Sequence, residues 1–137
     1  MVDIDGVVVK GRTIIGKAKD ILQSILTPID NSMGTHIPFA LLTNGGGIPE
    51  HEKATEMNRR LGIAEDDLRR LTKEHMILCH TPLRDPDMIA MYKDKFVVVT
   101  GKYDELRVAQ SYGYSKVVHV EELAIVFPDI APNDMDV

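Results

Sequence analysis

Apolar residues fall into short β-branched runs that alternate with longer amphipathic segments. The runs Met1 to Asp3, Phe39 to Thr43, Met76 to His80, Phe96 to Thr100 and Lys116 to Val120 are bounded by Gly, Pro or Asn. They are too short and too rich in Val, Ile and Leu for helices, so they predict strands. Nearly continuous apolar strands are the pattern of a parallel sheet buried on both faces. Between them, Ile14, Ala18, Ile21, Leu22, Ile25 and Ile29 recur at helical spacing and predict a helix over 14–29. Pro49 followed by Glu50 and Glu52 opens a second helix that runs to Leu61. A short helix is expected from Glu65 to Leu71. Another starts at Asp85-Pro86 and reaches Tyr92, and a last one spans Tyr103 to Tyr112, with Gly113 as its stop. Strand–helix alternation of this kind predicts a doubly wound α/β fold.

Composition changes this picture little. The 137 residues are 44% hydrophobic and 27% charged, enough for one core, expected over residues 1–128 with a frayed acidic tail over 129–137. The first strand is unusual, because only Met1 and Val2 precede Asp3 where a central strand spans about five or six residues; a clipped start is expected. No apolar run is long enough for a membrane span, and Met1 leads into acids rather than a basic-then-apolar signal. Net charge is −5 without a basic block, and aromatics are only 5%, which argues against nucleic acid as partner. The lone Cys79 excludes an internal disulfide and fits a reducing, intracellular compartment.

The sharpest chemical feature is Asp3-Ile4-Asp5-Gly6-Val7, at the carboxyl end of the first strand, where open α/β sheets bind ligands. Strand alternation sends Asp3 and Asp5 the same way and Ile4 into the core. Two carboxylates at this spacing suit Mg²⁺, which takes oxygen ligands. They also suit a division of labour in which one attacks phosphorus and the other protonates the leaving oxygen. Taken alone, the pair is equally well explained as a turn cap. The second feature is Leu41-Leu42-Thr43-Asn44-Gly45-Gly46-Gly47, again between a strand and a helix. Its glycines let backbone N–H groups approach an anion near a helix N-terminus. It lacks the Lys-Ser/Thr of a P-loop and the glycine spacing of a dinucleotide site. Alone, it reads more readily as an ordinary flexible connection.

Together the two features resemble motifs I and II of the haloacid dehalogenase-like hydrolase superfamily. The ordered set Asp5-Gly6-Val7 to Gly11, Leu42 to Gly47, Cys79-His80-Thr81-Pro82, Val99-Thr100-Gly101 and Val117 to Leu123 is similar to its class IIA branch. Within that branch it is most similar to the cat eye syndrome critical region protein 5 group of hydrolase-like proteins. The resemblance implies a Rossmannoid three-layer α/β fold with a parallel sheet, incomplete here because the cap domain and the C-terminal part of the core are not matched. It implies a Mg²⁺-dependent phosphatase that works through an aspartyl-phosphate on a small phosphorylated metabolite. Asp3 would be nucleophile and metal ligand, and Asp5 general acid/base and a metal ligand through its carbonyl. Thr43, with Asn44 and Gly45, would hold the phosphate. A mitochondrial location follows from the same resemblance, with the cytoplasm otherwise. The basic residue of motif III and the acids of motif IV have no counterpart here: Lys102 and Asp104 belong to an earlier element, Asp66-Asp67 to a helical stretch, and Asp134 and Asp136 to the tail. The alternative is therefore a catalytically inactive fragment, or a decayed member kept for binding or regulation.

His80 ends the third strand on the expected rim, where it is either a substrate contact or a hydrogen-bonded structural residue. Cys79 is expected to point into the core and be inert. His36, His75 and His119 read as loop or strand-edge residues, and Met88 and Met91 as packing. His51-Glu52 fails as a zinc-protease helix because position 55 is Thr. A phospho-receiver domain would need an Asp at the end of its third strand, which here ends in Cys79-His80. Apolar surface left by the short first strand and the unmatched cap predicts a homodimer or aggregation.

Overall fold

The computed structural model describes residues 1–29, 37–101 and 103–130. His36, Lys102, Asp134 and Asp136, with most of the expected tail, lie outside the described residues. The chain divides into two compact units, Met1–Thr81 and Pro82–Val137. The α/β class and the parallel pairing called for by the hydrophobic pattern are both present.

The first unit is built on a three-stranded parallel sheet. Strand β1 (Val2–Asp3) enters a hairpin of β2 (Val9–Lys10) and β3 (Thr13–Ile14), followed by helix α1 (Ala18–Leu26), strand β4 (Leu41–Leu42), helix α2 (Glu50–Leu61) and strand β5 (Met76–Ile77). The sheet order is β1-β4-β5, with Val2 opposite Leu41 and Leu41 opposite Met76. The ladder continues past the formal strand ends, since Ile4 N–H donates to Leu42 O at 3.1 Å and Thr43 N–H to Ile77 O at 3.0 Å. Strand ends are thus in register where the candidate chemistry lies. The core gathers Ile4, Leu41 and Met76 from the strands, Leu22 and Leu26 from α1, and Ala54, Met57 and Leu61 from α2.

The hairpin was not anticipated from the pattern, and it corrects the first helix. Ile14 pairs with Val9 in an antiparallel bridge, so the helix cannot begin before the turn at Gly16, whose φ is +49°. Its inward stripe is Leu22 and Leu26, buried, with Ala18 and Ile25 half-buried; Ile21 and Ile29 face solvent. Helix α2 matches its expected span. Pro49 precedes the first turn, and Gly62 ends the helix in the left-handed conformation at φ +64°, which glycine adopts without a Cβ penalty.

The helix expected over 65–71 is absent. The backbone makes isolated turns there, with Asp67 N–H to Ala64 O and Arg70 N–H to Asp67 O. The Asp67 carboxylate accepts from the Arg69 backbone N–H at 2.8 Å and from its guanidinium at 2.7 Å and 2.9 Å. These bonds, the side-chain one first, draw the Asp67 carboxyl down to about 2. An Asp that bonds the local backbone competes with helix formation. Asn58 then captures the end of the segment, donating to Leu71 O and accepting from Leu71 N–H, each at 2.8 Å.

The second unit holds helix α3 (Pro86–Tyr92), strand β6 (Phe96–Val99), helix α4 (Glu105–Ser111), strand β7 (Lys116–His119) and helix α5 (Val120–Val126). Asp85 caps α3 by accepting from Asp87 N–H at 2.9 Å. Strands β6 and β7 pair in parallel, Phe96 with Lys116 through Val99 with His119. Helix α4 is shorter than expected. Helix α5 corrects the expected strand to Val120: the His119 side chain accepts from Glu121 N–H at 3.3 Å and turns the chain into a helix. The other ring nitrogen of His119 meets Glu105 Oε1 at 3.0 Å, so this histidine is more than a strand-edge residue. The Glu105 carboxyl sits below its ordinary range, chiefly through its own backbone N–H, against an opposing effect of burial, with Tyr103 N–H and His119 helping. Burial on both faces does not hold for β6, where Phe96 and Val98 are exposed. Met91 is likewise exposed rather than packed.

Candidate active site at the strand ends

At the end of β1, Ile4 is fully buried while Asp3 and Asp5 are exposed, the alternation expected of an extended strand. Asp3 Oδ1 accepts from Ile4 N–H at 2.8 Å, which fixes the carboxylate against the backbone. Beyond Asp5 the chain reverses at Gly6, with φ +83°, a conformation that side chains rarely adopt. Gly6 N–H donates to Val9 O at 2.7 Å, and Ile4 O accepts from the N–H groups of both Val8 and Val9 at 3.0 Å. Three backbone bonds therefore hold the acidic turn shut, and buried Val8 and Val9 anchor it to the core.

The end of β4 reaches the same place. Thr43 is 3% exposed, and its Oγ1 donates to Asp5 Oδ2 at 3.0 Å while accepting from Gly45 N–H at 3.0 Å. One hydroxyl thus joins the acid pair to the glycine loop across residues far apart in the chain. Asn44 and Gly45 are exposed beside it. His80, at the end of β5, is half-buried, and its Nε2 lies 3.1 Å from Ile48 O. A carbonyl only accepts, so Nε2 carries the proton. Thr43 is thus bonded to both Asp5 and Gly45, with Asn44 between them in the chain, and Asp3 lies on the same strand end as Asp5; His80 bonds instead to the chain that follows the loop. Cys79 is a correction: it is exposed rather than turned into the core, and its sulfur lies against Gly46.

Two residues here escaped the sequence reading. Glu50 is only 4% exposed, and its Oε1 accepts from Thr81 Oγ1 at 2.8 Å; Thr81 Oγ1 in turn accepts from Leu78 N–H at 2.9 Å. An acid in the first turn of a helix reads as a solvated dipole partner. Only the tertiary fold brings Thr81 to it.

Among the described residues, no group of three or more His, Cys, Asp or Glu side chains is arranged to hold a metal ion. Asp3 and Asp5 nonetheless fit Mg²⁺ in kind. The Asp3 carboxylate and the Asp5 backbone carbonyl are hard oxygen donors, and Mg²⁺ is commonly held by about one or two carboxylates with water and substrate phosphate completing its shell.

A family model described as haloacid dehalogenase-like hydrolase matches residues 1–115. The chain belongs to the haloacid dehalogenase-like hydrolase family. Among curated proteins it is similar to a mitochondrial hydrolase of Saccharomyces cerevisiae, 30% identical over 130 residues that cover 95% of this chain and 32% of the relative. It is also similar to a cardiolipin synthase (CMP-forming) / mitochondrial hydrolase fusion protein of Schizosaccharomyces pombe, 30% identical over 117 residues, 85% of this chain and 17% of that protein. The chain thus spans a third or less of the length of these relatives.

Proposed function

We propose that the Asp3–Thr43 strand ends form the nucleophile and phosphate-holding part of a phosphohydrolase acting on a small phosphorylated metabolite. The observation that carries this is the Thr43 hydroxyl, buried and bonded at once to Asp5 and to Gly45 N–H. It links an acid able to move a proton with a loop able to hold an anion. An exposed Asp3 carboxylate attacks phosphorus, a P–O bond forms, and the bond to the leaving oxygen breaks. Asp5 gives its proton to that oxygen, then takes one from water, which attacks the aspartyl-phosphate and frees inorganic phosphate and Asp3. Mg²⁺ held by Asp3 and Asp5 would offset repulsion between the carboxylate and the phosphate dianion. Thr43, Asn44 and Gly45 orient the phosphoryl oxygens, the positioning on which phosphoryl transfer chiefly depends.

The test is Mg²⁺-dependent phosphate release from an aryl phosphate by the chain and by Asp3→Asn. Loss of turnover in the variant, by at least about a thousandfold as expected for a removed nucleophile, supports the mechanism; equal turnover in both contradicts it. A second reading, a binding or regulatory chain without turnover, is favoured by the acid pair lacking a third ligand among the described residues. Phosphate binding without release in either protein would select it. The names of the two relatives support a mitochondrial location, testable by imaging a tagged protein. We extend the proposal to a homodimer, since Phe96, Val98, Ile125, Val126 and Phe127 of the second unit expose apolar surface. Sedimentation should show a dimer at micromolar concentration, and a strict monomer would count against it.

A further inference from the structure

We propose that Thr81, joined to the buried Glu50, is a positioning residue that holds the Thr43–Gly47 loop in its anion-binding place. The inference rests on the phosphate-loop reading above and assigns it a support outside the loop. Three successive residues after β5 meet alternate residues on the other side. Cys79 packs on Gly46, His80 donates to Ile48 O at 3.1 Å, and Thr81 donates to Glu50 Oε1 at 2.8 Å. The fit at the first contact is close: a Cβ on Gly46 would stand 2.5 Å from Cys79 Sγ and 3.2 Å from His80 Cδ2. Gly46 has no positive φ, so its lack of a side chain answers to this packing rather than to backbone conformation. At the last contact the Thr81 hydroxyl does two jobs, giving its proton to Glu50 and taking Leu78 N–H at 2.9 Å. Glu50 is the first residue of α2, so the bond pins the start of that helix, and with it the far end of the loop, to the end of β5.

Removing the hydroxyl while keeping the shape, with Thr81→Val, takes a partner from the buried Glu50 carboxylate and from the amide of buried Leu78. The measurement is made by NMR on the chain: amide exchange at Gly45, whose N–H bonds Thr43 Oγ1, and titration with inorganic phosphate. Thr81→Val should speed Gly45 exchange and weaken phosphate binding by about tenfold each. Amides in the body of α2, at Met57 and Leu61, should stay unchanged, and Thr81→Ser should restore both readouts. A folded Thr81→Val with wild-type exchange at Gly45 overturns the proposal. If Thr81→Val fails to fold, Gly46→Ala decides: it should show the same two losses, and adding Cys79→Ala should reverse them. Equal losses with and without the sulfur would overturn the proposal. Absence of any phosphate response in the wild type would refute the phosphate site, while the exchange comparison would still decide the clamp.

Discussion

Single side chains link segments beyond the reach of the backbone ladder. Thr43 connects Asp5 to Gly45, and Asn58 spans α2 and the loop before β5. The difference between them is what the sequence displays. Asp3, Asp5 and Thr43 stand at the ends of apolar runs, so strand periodicity alone places them on the ligand side of a sheet. Asn58 and Glu50 sit inside a helix whose polar residues look interchangeable, and nothing in their spacing marks them as buried. Asn58 is 9% exposed and satisfies both polar groups of Leu71. Asn58→Ala would leave a buried N–H and C=O without those partners and cost about 2–4 kcal/mol. Urea denaturation checks this, with a large fall in midpoint expected; a change within error would show that water replaces the carboxamide at no cost.

At the level of elements, the runs with one consistent signal were legible and those with competing signals were not. Helix α2 has a proline before it, acids in its first turn and a glycine after it, and all agree with the observed span. Segment 65–71 has helix-compatible residues, yet Asp67 bonds the Arg69 backbone and Asn58 takes both groups of Leu71, so the local chain forms turns. Ile14 fits the apolar stripe of α1 equally well as a strand, and pairing with Val9 decides the matter. Helix α5 was hidden because Val117 to Val120 reads as one β-branched run; the cap by His119 is a side-chain choice that periodicity does not carry. The errors at 65–71 and at Val120 lie where a polar side chain competes with the backbone pattern, and the one at Ile14 where an apolar residue fits both patterns.

On the scale of the whole molecule, family membership and the α/β class follow from features spread along the chain, and the proposed chemistry rests on one strand-end cluster. The matched region covers 32% of one relative and 17% of the other, so the likeness to them is confined to that stretch. The acid pair and the Thr43 loop are nevertheless assembled within the first unit, from residues that β1 and β4 bring together. That makes the nucleophile assignment the central claim. It is tested most directly by mixing the chain with an aryl phosphate and Mg²⁺, quenching in acid, reducing with borohydride and sequencing the N-terminal peptide by mass spectrometry. We expect reduction of an acyl phosphate at Asp3, with Asp5 unmodified. Phosphate release without any modification at Asp3, or modification at another residue, would contradict the account.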